Sequence, residues 1–233
     1  MIYKTDPHSI SPYLKDASNY IGGCADKVVI PETIEELSCF LKTNTQQITI
    51  AGAGTGMTAS RIPLSGCVLS LERFDTIGNL DGGFIDVGPA TSLENLYKKL
   101  EPTEYFYPPN PTETLASIGG TAATNASGSR SYKFGVTRDY VIEADIFFAD
   151  GNSTTLKRGL TIDDPLEISN GRKVFFPNIS YKSLSCKNAA GYYVRPNMDW
   201  LDLFIGSDGT LGIFTRIRLK LKLSPSSFIS GIL

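Results

Sequence analysis

The residues of this chain whose pattern points to chemistry are mostly small ones. Gly52-Ala53-Gly54-Thr55-Gly56-Met57-Thr58 follows closely on the apolar run Ile48-Thr49-Ile50. Glycines let main-chain N–H groups approach a phosphate and turn toward it, so this run suits a pyrophosphate. A second run, Ile118-Gly119-Gly120-Thr121-Ala122-Ala123-Thr124-Asn125-Ala126-Ser127-Gly128, comes after Pro108-Pro109-Asn110-Pro111-Thr112. Each glycine costs entropy on ordering, and packing alone seldom asks for so many. Close approach of backbone to a flat or extended ligand is the natural reason, with Thr, Ser and Asn bonding its polar edges. A third run, Gly206-Ser207-Asp208-Gly209-Thr210-Leu211-Gly212-Ile213, precedes the last strand. Three such runs suggest one long ligand.

A Rossmann fingerprint is the obvious reading of the first run, and Glu72 stands where its ribose-binding acid would be. That loop must open a helix, however, and Met57 to Gly66 has no helical period and carries Pro63. A nest of N–H groups in an irregular loop binds phosphate without a helix, and a glycine-rich turn with no ligand is the plain alternative. No side chain stands out as acid, base or nucleophile. Lys133, Arg138 and Asp139 lie near the second run and read as ordinary surface or structural charges.

Composition narrows the class. The 233 residues are 41% hydrophobic and 20% charged, with net charge -2, as in ordinary globular proteins and without the basic footprint of a nucleic-acid reader. No apolar stretch approaches a bilayer span of roughly 20 residues, and MIYKTDPHSISPYLKD lacks a signal-peptide core, so a cytoplasmic address is the expectation. Cys24, Cys39, Cys67 and Cys186 have no metal-binding spacing and read as buried free thiols.

The elements that must carry these runs follow from periodicity. Strands are predicted at 27–30, 48–50, 68–71 and 84–87. Thr33 with Glu36 makes a capping box for a helix presenting Ile34, Leu37 and Leu41, and Thr91 with Glu94 caps another carrying Leu93, Leu96, Tyr97 and Leu100. Tyr107 to Arg138 reads as a long functional loop. Tyr140 to Ala149 reads as a strand, joined through Asp150-Gly151 in a hairpin to Ser153–Lys157. Residues 158–185 carry no clear signal. Ile213 to Leu223 alternates apolar and basic residues, a half-exposed antiparallel strand with a solvated charged face. The reading is α+β: a first lobe to about residue 100 and a second, mainly antiparallel lobe over 101–233.

Taken together, these motifs resemble the FAD-binding domain of the vanillyl-alcohol oxidase and p-cresol methylhydroxylase type, in its glycolate oxidase and D-lactate dehydrogenase branch. Val29-Ile30-Pro31-Glu32-Thr33-Ile34-Glu35-Glu36-Leu37 resembles the opening signature, and Asp208-Gly209-Thr210-Leu211-Gly212-Ile213 the closing one. The resemblance covers nearly the whole chain. It implies two α+β lobes, one a small mixed or parallel sheet and one a larger antiparallel sheet with helices, with FAD between them. It places the pyrophosphate on Gly52, Ala53, Gly54, Thr55, Gly56, Met57 and Thr58. The flavin would be lined by Pro109, Pro111, Thr112, Glu113, Thr114, Ser117, Gly119, Gly120, Thr124, Asn125, Ala126, Ser127 and Gly128, and touched by Gly212 and Ile213.

Ala51, Ala59 and Asp208 depart from the family's usual arginine, glycine and glutamate. Some relatives attach FAD through histidine, but the single histidine here, His8, lies outside every motif, so non-covalent FAD is expected. Complete relatives continue into a domain that supplies the substrate site, and that C-terminal domain is expected to be absent here. The implied activity is oxidation of a 2-hydroxy acid by hydride transfer to FAD, with a partner subunit or electron acceptor. The alternatives are a flavin-binding subunit without turnover and an NAD-binding domain.

Overall fold

The computed structural model describes residues 1–179, 191–225 and 227. In chain order the elements are β1 (Ile2–Lys4), α1 (Pro7–Ile10), β2 (Lys27–Ile30), α2 (Ile34–Thr43), β3 (Ile48–Ala51), β4 (Cys67–Ser70), β5 (Phe84–Val87), α3 (Leu93–Leu100) and β6 (Tyr105–Phe106). There follow α4 (Ile118–Ala123), α5 (Ser131–Phe134), β7 (Val141–Phe147), β8 (Ser153–Lys157), β9 (Leu166–Glu167), β10 (Lys173–Val174), α6 (Trp200–Phe204), β11 (Ile213–Lys220) and β12 (Lys222–Leu223).

The first sheet has the order β1-β2-β4-β3, parallel across β2, β4 and β3 and antiparallel at β1. Its central strands are apolar on both sides, as strands covered on both faces must be. Leu37, Phe40 and Leu41 of α2 pack with Val29, Cys67 and Leu69 on one face. Ile10, Tyr13 and Leu14 from the N-terminal segment pack with Val28, Ile30 and Val68 on the other. Ile34 is instead 38% exposed, so the buried stripe of α2 runs through Phe40 rather than Ile34. Thr33 caps α2 by accepting from the Glu36 N–H, but the Glu36 carboxylate reaches the N–H of Glu32, one residue before the expected box partner.

The second sheet, β5-β11-β7-β8, is antiparallel throughout. Leu93, Leu96 and Leu100 of α3, Ile118 and Ala122 of α4, and Trp200, Leu201 and Phe204 of α6 bury one face against Ile85, Val141, Ile146, Ile217 and Leu219. Burial of each large aliphatic side chain contributes about 2 kcal/mol. β5 and α3, which sequence order put with the first lobe, thus join the second sheet and its core; the sheets divide between Ser70 and Phe84. The cap of α3 is Ser92, because the Thr91 hydroxyl is buried and donates to Thr76 O.

The opposite face carries charge, and the antiparallel register pairs it. Arg216 donates to Asp86 at 2.5 Å, to Asp145 at 2.7 Å and to Glu143, while Arg218 joins Asp86 to Asp81, both at 2.6 Å. Burial pushes the Asp145 and Glu143 carboxyls up, but Arg216 outweighs it and holds both below the usual carboxylate range. The face expected to be solvated is a half-buried ion-pair ladder.

Candidate functional site

The first glycine run leaves the carboxyl end of β3 as an irregular loop, without the helix that a Rossmann turn requires. Gly54 has φ +78°, a conformation that L side chains rarely adopt. Among the described residues, none of the main-chain N–H groups from Ala53 to Thr58 finds an acceptor in the protein, and every residue of the loop is at least partly exposed. Six unsatisfied donors on one turn form a nest open to an anion.

The loop's carbonyl side is tied down. Arg61, which no local sequence signal marked, donates from Nη1 to Gly52 O at 2.6 Å and from Nη2 to Pro12 O at 2.8 Å. Ala17 N–H donates to Gly54 O at 3.0 Å. Burial pushes the Arg61 guanidinium pKa down, against the influence of nearby Asp16 and Tyr13.

The three runs meet around α4. A Cβ built on Gly52 would lie 3.2 Å from Ser117 Oγ and 3.8 Å from Gly120 Cα. Gly206 and Asp208 donate their N–H groups to Ala122 O and Ala123 O at 3.0 and 2.8 Å, and a Cβ on Gly209 would lie 3.1 Å from Ile50 Cδ1. Runs that are distant in sequence are therefore neighbours in the fold.

The second run is built differently. Ser117 to Gly128, expected to be loop, contains α4, with Ser117 Oγ accepting from Gly120 N–H. Its donors are largely spent inside the protein: Gly119 on Pro89 O, Thr124 on Gly120 O, Ala126 on Thr121 O and Gly128 on Ser131 Oγ. Two of its glycines are required by packing. A Cβ on Gly119 would stand 2.7 Å from Pro89 Cβ, and one on Gly128 would stand 1.8 Å from Asn110 O. At Gly120 a Cβ would meet Ser117 Oγ alone, at a tight 3.0 Å. The expectation that packing would not ask for these glycines is thereby corrected.

The remaining predicted residues divide into exposed and enclosed sets. Thr112, Glu113, Thr114 and Thr124 are exposed; Pro111, Asn125, Ala126 and Ser127 are half-buried. Pro109 is buried, with its carbonyl accepting from Tyr97 at 2.7 Å. Ile213 is 5% exposed in the core beneath the first sheet, and a Cβ on Gly212 would meet Ile146 at 2.5 Å, so packing accounts for both. Met57 is 79% exposed.

Arg138 is a buried structural charge. It bonds Asp202 and the carbonyl of Ile205, receives the Tyr193 ring 4.0 Å from its guanidinium carbon, and donates its N–H to Asn125 Oδ1 at 3.0 Å. Lys133 and Asp139 are exposed, as expected of ordinary charges. Glu72, the would-be ribose acid, accepts from Tyr13 at 2.6 Å and Ser70 at 2.9 Å. Cys67 is a buried thiol, whereas Cys24 and Cys39 are exposed, contrary to the expectation of burial; Cys186 lies outside the described residues. Among the described residues no helix is long and apolar enough to cross a membrane, and no cluster of His, Cys, Asp and Glu could hold a metal ion.

A small mixed sheet and a larger antiparallel sheet, joined where an open nest meets α4, define an α+β cofactor domain of the p-cresol methylhydroxylase type. The family model described as FAD binding domain matches residues 25–157, and the chain belongs to that family. A D-lactate dehydrogenase of Anaerostipes hadrus is 30% identical over 95% of this chain and 42% of its own length. The glycolate oxidase subunit GlcD of Bacillus subtilis (strain 168) is 29% identical over 92% of this chain and 41% of its own. The chain therefore spans less than half of these relatives. A solved alkyldihydroxyacetonephosphate synthase superposes with TM-score 0.71 over 97% of this chain and 39% of its own, at 17% identity, a likeness of fold.

The cofactor is FAD, and the residues fit it. The nest of Ala53–Thr58 offers donors without acceptors, and a Cβ on Gly56 would meet nothing within 4 Å, so a diphosphate can reach the backbone there.

Proposed function

We propose that this chain is the FAD-holding part of a flavin-dependent dehydrogenase or oxidase that takes a 2-hydroxy acid as substrate and binds FAD non-covalently. The observation that carries the reading is the row of free N–H groups from Ala53 to Thr58, set beside Ser117 and Gly120 in a chain of this family. Those amides would hold the diphosphate. Ser117, Gly120, Thr124 and the exposed Thr112–Thr114 strip would flank the remainder of the cofactor, reached from two lobes divided between Ser70 and Phe84. FAD, when bound, supplies a two-electron acceptor for the hydride leaving the substrate α-carbon. Arg138 and Asp202 are committed to each other, so they hold the scaffold rather than move a proton. The substrate class rests on relatives named for D-lactate and glycolate. A cytoplasmic address accompanies this reading.

A second reading, a subunit that binds flavin and needs a partner for turnover, is favoured by the relative named as a subunit. Purifying the full-length protein separates them. We expect a yellow preparation that releases its flavin on denaturation and bleaches anaerobically with D-lactate or glycolate. Bound flavin that neither acid bleaches supports the subunit reading; a colourless protein that takes up no FAD removes both.

A further inference from the structure

Arg61 sits where it controls which way the glycine loop faces. In a trans peptide the carbonyl and the following N–H point in opposite directions, and among the described residues no peptide bond is cis. Gly52 C=O and Ala53 N–H belong to one such unit; Gly54 C=O and Thr55 N–H belong to another. Drawing the two carbonyls to one side therefore turns the two amides to the other. Gly52 O is drawn by Arg61 Nη1 and Gly54 O by Ala17 N–H. The other arm of Arg61 grips Pro12 O, so one guanidinium fastens the loop to the N-terminal segment that also supplies Ala17. A Cβ on Gly54 would lie 2.7 Å from Nη1, so the loop lies flat against the cation. Arg61 Nε is buried without a hydrogen-bond partner, and among the described residues the side chain forms no ion pair. A partly desolvated charge is kept directly behind a row of free donors, where it adds to their attraction for an anion.

We infer that Arg61 is a positioning residue for the cofactor diphosphate, orienting the Ala53 and Thr55 amides by holding the carbonyl of Gly52 and bracing the N-terminal segment that holds that of Gly54. This rests on the FAD reading of the site. Loss of a charge-assisted bond to a carbonyl together with the cation's field should weaken diphosphate binding, while riboflavin, which lacks the diphosphate, should be indifferent. Lysine keeps the charge but not the two-armed fork.

The test is titration of the full-length apoprotein with FAD and with riboflavin, followed by flavin fluorescence, for the unmodified protein, Arg61→Met and Arg61→Lys, with thermal melting alongside. Arg61→Met should raise the dissociation constant for FAD roughly tenfold to a hundredfold and leave that for riboflavin unchanged, with Arg61→Lys between. Equal FAD affinity in all three overturns the inference and leaves the FAD reading standing. So does a parallel loss of FAD and riboflavin binding, the mark of a merely structural role. An unmodified protein that binds no FAD overturns both. Should Arg61→Met fail to fold, the FAD-to-riboflavin ratio of Arg61→Lys decides by the same criteria.

Discussion

The loop Gly52–Thr58 and the run Ser117–Gly128 look alike in sequence, both glycine-rich and both containing a Gly-Thr step, yet the fold uses them in opposite ways. The first has its carbonyls anchored and its N–H groups free. The second spends its donors on its own turns and on Pro89 and Ser131. Glycine in the first leaves room; glycine in the second removes a collision, most severely at Gly128, whose Cβ would overlap Asn110 O. Small residues thus mark two different requirements, approach by something outside the chain and approach by the chain itself, and hydrogen-bond accounting tells them apart.

The sharpest way to break this contrast is Gly128→Ala. A methyl 1.8 Å from a backbone oxygen cannot be absorbed by a rotamer change, so the Asn110–Pro111 segment must move. We expect a loss of about 3 kcal/mol or more, measured by urea unfolding. A variant as stable as its parent would show that the run has room and that its glycines serve something else.

Much of this contrast was beyond a reading of the residues alone, for physical reasons. Elements whose signal is local were legible: β2, α2, β3, β4, β5, α3 and the β7–β8 hairpin all stand where periodicity put them. α4 was not, because Ile-Gly-Gly-Thr-Ala-Ala has poor helix propensity and is held by the Ser117 cap and by burial of Ile118 and Ala122. Strand β1 and the short β9–β10 pair are too brief to carry a period, and α6 is five residues long. The pairing of β5 with β11 joins Val87 to Ile217 and leaves no local trace. Within the site, the three small-residue runs and their service of one long ligand were legible in the residues, but the helix α4 around which they meet was not. Arg61 was missed because its acceptors, Gly52 O and Pro12 O, lie 9 and 49 residues away.

Gly56→Ala turns the comparison from stability to binding. A Cβ there meets nothing within 4 Å, and Gly56 lies outside the left-handed region, so the fold should accept it with stability changed by less than about 0.5 kcal/mol. The methyl would nevertheless stand among the free amides, at the face a diphosphate must approach. FAD affinity should fall by roughly tenfold, about 1.4 kcal/mol, in a fluorescence titration. A neutral effect on both measurements would mean that the open side of the loop is not the binding side.

The smallest expected effect concerns the loop's exit. Ala59 has φ +60°, left-handed backbone that costs an L residue about 1–2 kcal/mol, and its carbonyl accepts the Ile62 N–H at 3.0 Å to close the turn toward Pro63. Glycine at this position would lose that strain but gain freedom in the unfolded chain, an opposing effect of about 0.5–1 kcal/mol. The balance favours Ala59→Gly by about 0.5 kcal/mol, which raises the melting temperature by roughly 1–2 °C in a domain of this size. The amides at Ala53 and Thr55 are oriented from Gly52 and Gly54 rather than from Ala59, so FAD affinity should not follow stability upward. Should the two rise together, strain at the exit is transmitted into the nest, and the loop behaves as one spring rather than as an anchored entry with a tense exit.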